Sequence, residues 1–185
     1  MKKQINMLKT SISGSYVIDN RIFEDYRGFF YEVWNKQKFN DELNENISFV
    51  QENMSSSKKN VLRGLHYQIK KPQGKLVRVS LGSVYDVIVD LRVSSPTFKK
   101  WFGVKLSSSN RKLLWVPVGC AHGFYVLSSR ADVVYKTTEH WFPQHERCII
   151  WNDKDLSIKW NSENTPILSE QDPKGSKLKD AEYFR

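Results

Sequence analysis

The side chains able to do chemistry concentrate in one stretch, where Arg63, His66, Lys75 and Arg78 stand close together along the chain. An imidazole exchanges protons near neutral pH, so His66 is a candidate general base. A guanidinium grips phosphate with two parallel hydrogen bonds, and an ammonium binds it as a point charge. Arg27 adds a further cation beside Gly28, where backbone can approach a ligand closely. The local alternative for each cation is an ion pair with Asp25, Glu32, Asp86 or Asp90.

Further positions extend the set. His122, like His66, neighbours a glycine on a strand-like segment. A lone strand histidine is generally a hydrogen-bonded structural residue; two of them near Arg63 and Lys75 point towards a site. Tyr135 lies near a strand end, where a phenol opposite a base can act as an acid, or can simply pack. Trp141 offers a face for a base or sugar, or anchors a turn. Asp172 could orient a histidine, but Ser169-Glu170-Gln171-Asp172 also reads as a weak capping box. A metal centre is the obvious rival. His66-Tyr67-Gln68 has the place of a His-x-His pair without its second ligand, and three protein ligands do not assemble around His122. No metal is expected.

The elements that must position these groups read as strands. Segments 76–79, 83–90, 101–106, 113–116, 123–127 and 132–137 are rich in β-branched and aromatic residues and are separated by turn residues. Earlier, residues 15–33 suggest two strands around the turn Asp25-Tyr26-Arg27-Gly28. Asn35 can cap a helix over 35–43, with Phe39 and Leu43 on one face. Residues 48–53 read as extended and 54–60 as a polar loop. The expected fold is all-β, a barrel or jelly roll with a short helix near each end. A single domain over 1–185 is expected, with the barrel at about 15–160 and an extension over 161–185.

The net charge of +9 favours anionic partners, but no block of five like charges marks a nucleic-acid tail. Two cysteines, Cys120 and Cys148, suit neither a disulfide framework nor a closed zinc site. No leader-like or bilayer-spanning apolar run is visible, so a cytoplasmic protein without membrane or nucleic-acid partners is expected. From residues alone, the destination is a β-barrel with a cationic, imidazole-bearing interior suited to a phosphorylated sugar or nucleotide.

From Arg63-Gly64-Leu65-His66-Tyr67-Gln68 onward the chain resembles the dTDP-4-dehydrorhamnose 3,5-epimerase family of cupin-type sugar-nucleotide epimerases. Supporting motifs follow in family order: 25–32, 50–53, 74–79, 87–92, 95–98, 119–124 and 150–153. The resemblance implies His66 as base, Asp172 as its orienting carboxylate, Lys75 as enolate stabiliser and Tyr135 as acid. It implies Arg27 and Arg63 as pyrophosphate and sugar contacts, and His122 in the sugar pocket. Glu32, Gln51, Glu52, Asn53 and Glu146 become nucleoside contacts. Trp141 replaces a stacking tyrosine, and Gln171 stands where a basic substrate contact is common. The implied enzyme needs no cofactor, serves dTDP-rhamnose and cell-surface polysaccharide synthesis, and is a homodimer in which Arg27 and Glu32 reach the neighbour's site. The alternatives are a single-centre or differently specific epimerase of 4-keto-6-deoxy sugar nucleotides, and a non-catalytic nucleotide-sugar-binding cupin.

Overall fold

The computed structural model describes residues 5–162 and 164–185. Its strands are β1 (Ile5–Lys9), β2 (Tyr16–Asn20), β3 (Phe23–Asp25), β4 (Gly28–Phe30), β5 (Gln51–Lys58), β6 (Leu62–Gln68) and β7 (Lys75–Leu81). They continue as β8 (Ser83–Asp90), β9 (Trp101–Ser107), β10 (Leu113–Val116), β11 (Cys120–Val126), β12 (Arg130–Thr137) and β13 (Glu146–Cys148). The one α-helix among the described residues, α1 (Lys36–Leu43), lies between β4 and β5.

Two antiparallel sheets build the body. One runs β1-β2-β10-β7-β12-β5 and the other β13-β6-β11-β8-β9. Alternation along each strand sends one set of side chains between the sheets and the other set outward. The inner set includes Val77, Val79, Val84, Ile88, Leu106, Phe124, Val126 and Val133. Outside the six-stranded sheet, Ile18, Leu76, Leu113 and Trp115 pack under Phe39 of α1 and Ile47. Outside the five-stranded sheet, Leu62, Leu65, Val87, Val89 and Ala121 are covered by Ile149, Leu156, Trp160 and Leu178. Both sheets are therefore apolar on both faces, and the polar groups left between them collect at one end.

Helix α1 forms where expected. The Asn35 side chain accepts the Lys38 N–H at 3.2 Å, and Asn44 closes the helix in the left-handed region at φ 54°. At the other end the expected helix is a single 3-10 turn, Asp172–Lys174. The segment expected to be a loop at 54–60 is instead largely strand, since β5 runs to Lys58 and pairs with β12 in unbroken register. Its serines disguise it: Ser55 and Ser57 alternate with exposed Met54 and Ser56, so no apolar stripe marks the strand. Strands β3 and β4 form a separate hairpin whose apolar side chains face outward, with Tyr26 97% and Phe30 71% exposed.

Candidate active site

Residues three apart on a regular strand point to opposite faces. Arg63 and His66 are three apart on β6, yet a bulge against β11 pairs Arg63 with Phe124 and His66 with His122. Two residues of β11 thus span three of β6, and the Arg63 and His66 side chains both end on the inner face. Gly64 lies where this crowding is greatest. Its φ is +123°, and a Cβ there would sit 2.5 Å from the Gly123 Cα.

The His66 Nε2 donates to the Asp172 Oδ1 at 2.8 Å. The second carboxylate oxygen is used as well: Asp172 Oδ2 accepts from the Ser169 N–H at 3.1 Å and from its hydroxyl at 2.7 Å. The Asp172 N–H in turn donates to the Ser169 Oγ at 3.2 Å. One Asp172 oxygen thus orients the imidazole, and the other joins Ser169 in a reciprocal pairing just before the 3-10 turn, whose N-cap is Gln171 and carries no side-chain cap. Burial raises the Asp172 carboxyl, but the hydrogen bonds from His66 and Ser169 outweigh it and hold the pKa at about 2. With Nε2–H committed to a carboxylate, Nδ1 is the basic nitrogen.

The opposite wall comes from the six-stranded sheet. Lys75, Tyr135, Gln51 and Asn53 join His66, Gln73, Met54, Trp141 and Glu146 around a cavity of about 340 Å³. Lys75 Nζ stands 5.9 Å from the centre of the Tyr135 ring. Burial pulls its ammonium down to about 8, against the charges of Glu146 and Asp86. Among the described residues Lys75 has no carboxylate within ion-pair distance, so its charge is available to a ligand. Burial and the charge of Glu146 raise the Tyr135 phenol, so it carries its proton at neutral pH, the form an acid needs. At the rim the Trp141 N–H donates to Gln51 Oε1 at 3.1 Å, and its indole N–H to Glu146 at 3.3 Å.

A second imidazole–carboxylate pair lies behind the first. His122 Nε2 donates to both oxygens of Asp86, at 2.9 and 3.0 Å. Arg63 is fixed by its Nε–H donating to Ser57 Oγ at 3.1 Å.

Not every candidate converges on this cavity. Glu52 points to the outer face of β5 and pairs with Lys136, and Arg78 lies on the same outer face beside Trp34. Arg27 binds Asp25 on the hairpin, and Glu32 binds Lys38. A hollow of about 560 Å³ against the hairpin holds Arg27 but none of the acid–base groups. Gln171 lines an adjoining cavity of about 700 Å³ that shares His66 and Glu146 with the first. Residues the sequence reading left out of the site are Asp86, Ser57, Ser169, Gln73 and Met54. Asp86 carried a signal, being a carboxylate in the middle of the apolar alternation of β8 that burial obliges to find a partner.

Comparison with known proteins adds to this geometry. The family model described as dTDP-4-dehydrorhamnose 3,5-epimerase matches residues 9–180. The dTDP-4-dehydrorhamnose 3,5-epimerase of Pseudomonas aeruginosa is 50% identical over 95% of this chain and 97% of its own. The dTDP-6-deoxy-D-glucose-3,5-epimerase of Legionella pneumophila, solved in complex with dTDP-4-keto-L-rhamnose, superposes with a TM-score of 0.95 at 43% identity, covering 98% of each chain. A 3'-monoepimerase of Streptomyces bikiniensis, solved with dTDP-quinovose, gives a TM-score of 0.87 at 29% identity, covering 92% of this chain and 86% of that one.

Proposed function

The chain belongs to the dTDP-4-dehydrorhamnose 3,5-epimerase family, and from that premise we propose how its side chains divide the work. It is an isomerase that epimerises dTDP-4-dehydro-6-deoxy-D-glucose at C3 and C5 to dTDP-4-dehydro-L-rhamnose. The C4 ketone of this substrate acidifies the hydrogens on both neighbouring carbons. His66 removes the C3 proton, and the electron pair moves onto the C4 oxygen as an enolate. The Lys75 ammonium stabilises that oxygen. Tyr135 then gives its phenolic proton to the opposite face of C3, which inverts the centre. Solvent takes the proton from His66 and returns one to Tyr135, and the cycle repeats at C5. No hydride moves, so this sequence of steps calls for no nicotinamide.

The observation that carries this reading is the placement of His66 and Tyr135 on opposing sheets around one cavity, with Lys75 beside the phenol. Gln51, Asn53, Trp141 and Glu146 form the rim that would hold the nucleoside, Trp141 by stacking. Arg63 would bind pyrophosphate, His122 would back the sugar pocket, and Gln171 would contact the substrate from the adjoining cavity. Incubating the enzyme with substrate in deuterated water tests the assignment. Deuterium must enter at both C3 and C5. Label at one centre only would transfer the reading to a single-centre epimerase, the activity of the Streptomyces bikiniensis relative.

The arrangement of two facing antiparallel sheets supports a cupin-type jelly roll, and Trp160 and Leu178 docked on the five-stranded sheet support one domain with a C-terminal extension. The exposed aromatic side chains of the β3–β4 hairpin support a homodimer in which Arg27 and Glu32 complete the neighbour's site. A molar mass of one chain by light scattering would refute that arrangement. Free cysteines Cys120 and Cys148 support a reducing, cytoplasmic setting. No helix among the described residues is long and apolar enough to cross a membrane.

A further inference from the structure

The mechanism leaves one thiol beside the base without a task. Cys148 on β13 pairs directly with His66 on β6, and cross-strand partners send their side chains to the same face. Its sulfur makes a weak 3.5 Å contact to the neighbouring Ile149 carbonyl and meets the Leu65 backbone. One ligand atom each from His66, Cys148 and Asp172 lie within 4.8 Å of one another. His66 and Cys148 both line the adjoining cavity of about 700 Å³, so small solutes reach them without passing Trp141.

We infer that His66, Cys148 and Asp172 form a binding site for a thiophilic divalent ion such as Zn²⁺, and that its occupancy switches the enzyme off. An imidazole nitrogen, a thiolate and a carboxylate oxygen are the ligand types zinc takes when three protein groups hold it and the fourth position stays open. Around one tetrahedral zinc such atoms are roughly 3.4–3.6 Å apart. Closing the set from within 4.8 Å therefore asks for movements of about 1 Å. On binding, the thiol proton leaves to solvent, the His66 proton shifts from Nε2 to Nδ1, and the ion takes the place of the hydrogen bond between His66 and Asp172. The thiolate and carboxylate together neutralise the ion's two charges. Cys120 offers no competing thiol, being sealed in the core between the sheets.

Inhibition follows because a metal-bound imidazole has no lone pair for a substrate proton; this consequence rests on the reading of His66 as the base. Metal binding itself does not, and the two are separable by experiment. Metal-free enzyme titrated with Co²⁺ must develop a thiolate-to-cobalt charge-transfer band in the near ultraviolet. Cys148→Ser must lose the band while keeping the metal-free rate of solvent exchange, and must need about tenfold more Zn²⁺ for half-inhibition. Chelator must restore the wild-type rate. No band in the wild type, or an equal band in Cys148→Ser, overturns the site. A band without inhibition leaves the site standing and overturns His66 as base. Should the variant not fold, wild-type protein decides: Zn²⁺ must slow alkylation of Cys148 by iodoacetamide, and unchanged alkylation overturns the proposal.

Discussion

His66 and His122 face each other across neighbouring strands, and each donates its Nε2 proton to an aspartate. The chemistry of the two pairs is the same, yet their surroundings differ. The His66 side chain is 33% exposed and borders two cavities, whereas that of His122 is 7% exposed and Asp86 is wholly buried. The open pair can pass a proton to a ligand and recover it from solvent. The sealed pair has both carboxylate oxygens on one imidazole and is almost closed to solvent, beneath the bulge that aims Arg63 and His66. A histidine–aspartate pair thus takes its role from access rather than from its own geometry.

The largest expected effect breaks the open pair. His66→Asn should lower the rate of substrate proton exchange by about 10³–10⁴-fold, read by loss of deuterium uptake, with the fold intact by circular dichroism. An equal kinetic loss in a folded His122→Asn protein would erase the distinction between the pairs. Removing the charge opposite the base comes next: Lys75→Met should cost about 10²–10³-fold in kcat, the usual loss of one oxyanion stabiliser. Breaking the sealed pair should act on folding instead. Asp86→Ala should destabilise by about 3–5 kcal/mol in urea unfolding, because it strands His122 in the interior, and should cost less rate per folded molecule than either change above. If it lowers kcat as much as Lys75→Met with unchanged stability, Asp86 belongs to the chemistry.

The smallest effect is graded by pH. Burial holds the Lys75 ammonium at about 8, below its free value of 10.5. Activity that needs the charged form should fall as pH rises through about 8, roughly tenfold per unit above it. Stability should move the other way. The unfolded chain binds the extra proton between about 8 and 10.5, so this group's contribution makes the fold more stable as pH rises across that window. Lys75→Met should flatten both trends; a rate that still falls at the same pH in that variant assigns the titration elsewhere.

Much of this was legible from residue types. The apolar strands β7 to β12 announce themselves by alternation, and α1 by its Asn35 cap. His66, Lys75, Tyr135 and Trp141 come together around one cavity, as motif order implied. What stayed hidden has identifiable causes. The part of β5 from Met54 on escaped notice because a strand that lines a polar cavity has no hydrophobic face to display. The shared face of Arg63 and His66 depends on a bulge, which leaves no mark in the spacing of either strand alone. Glu52 sits one residue from Gln51 and Asn53, and the two-residue period of the strand turns it to the opposite face, onto Lys136.

That serine-rich strand carries a hazard of its own. β5 is the edge of its sheet and pairs with β12 alone. A hydrophobic stripe would penalise misalignment, but this strand would lose little burial by slipping one residue. The slip would turn Glu52 towards the substrate and swing Gln51 and Asn53 out, leaving a folded but mis-lined pocket. The outer face supplies the correction. Lys136 clamps Glu52, and Arg130 donates to Ser56 at 2.9 Å. These surface contacts, of small worth to stability, act as alignment pins for the chemistry on the other side.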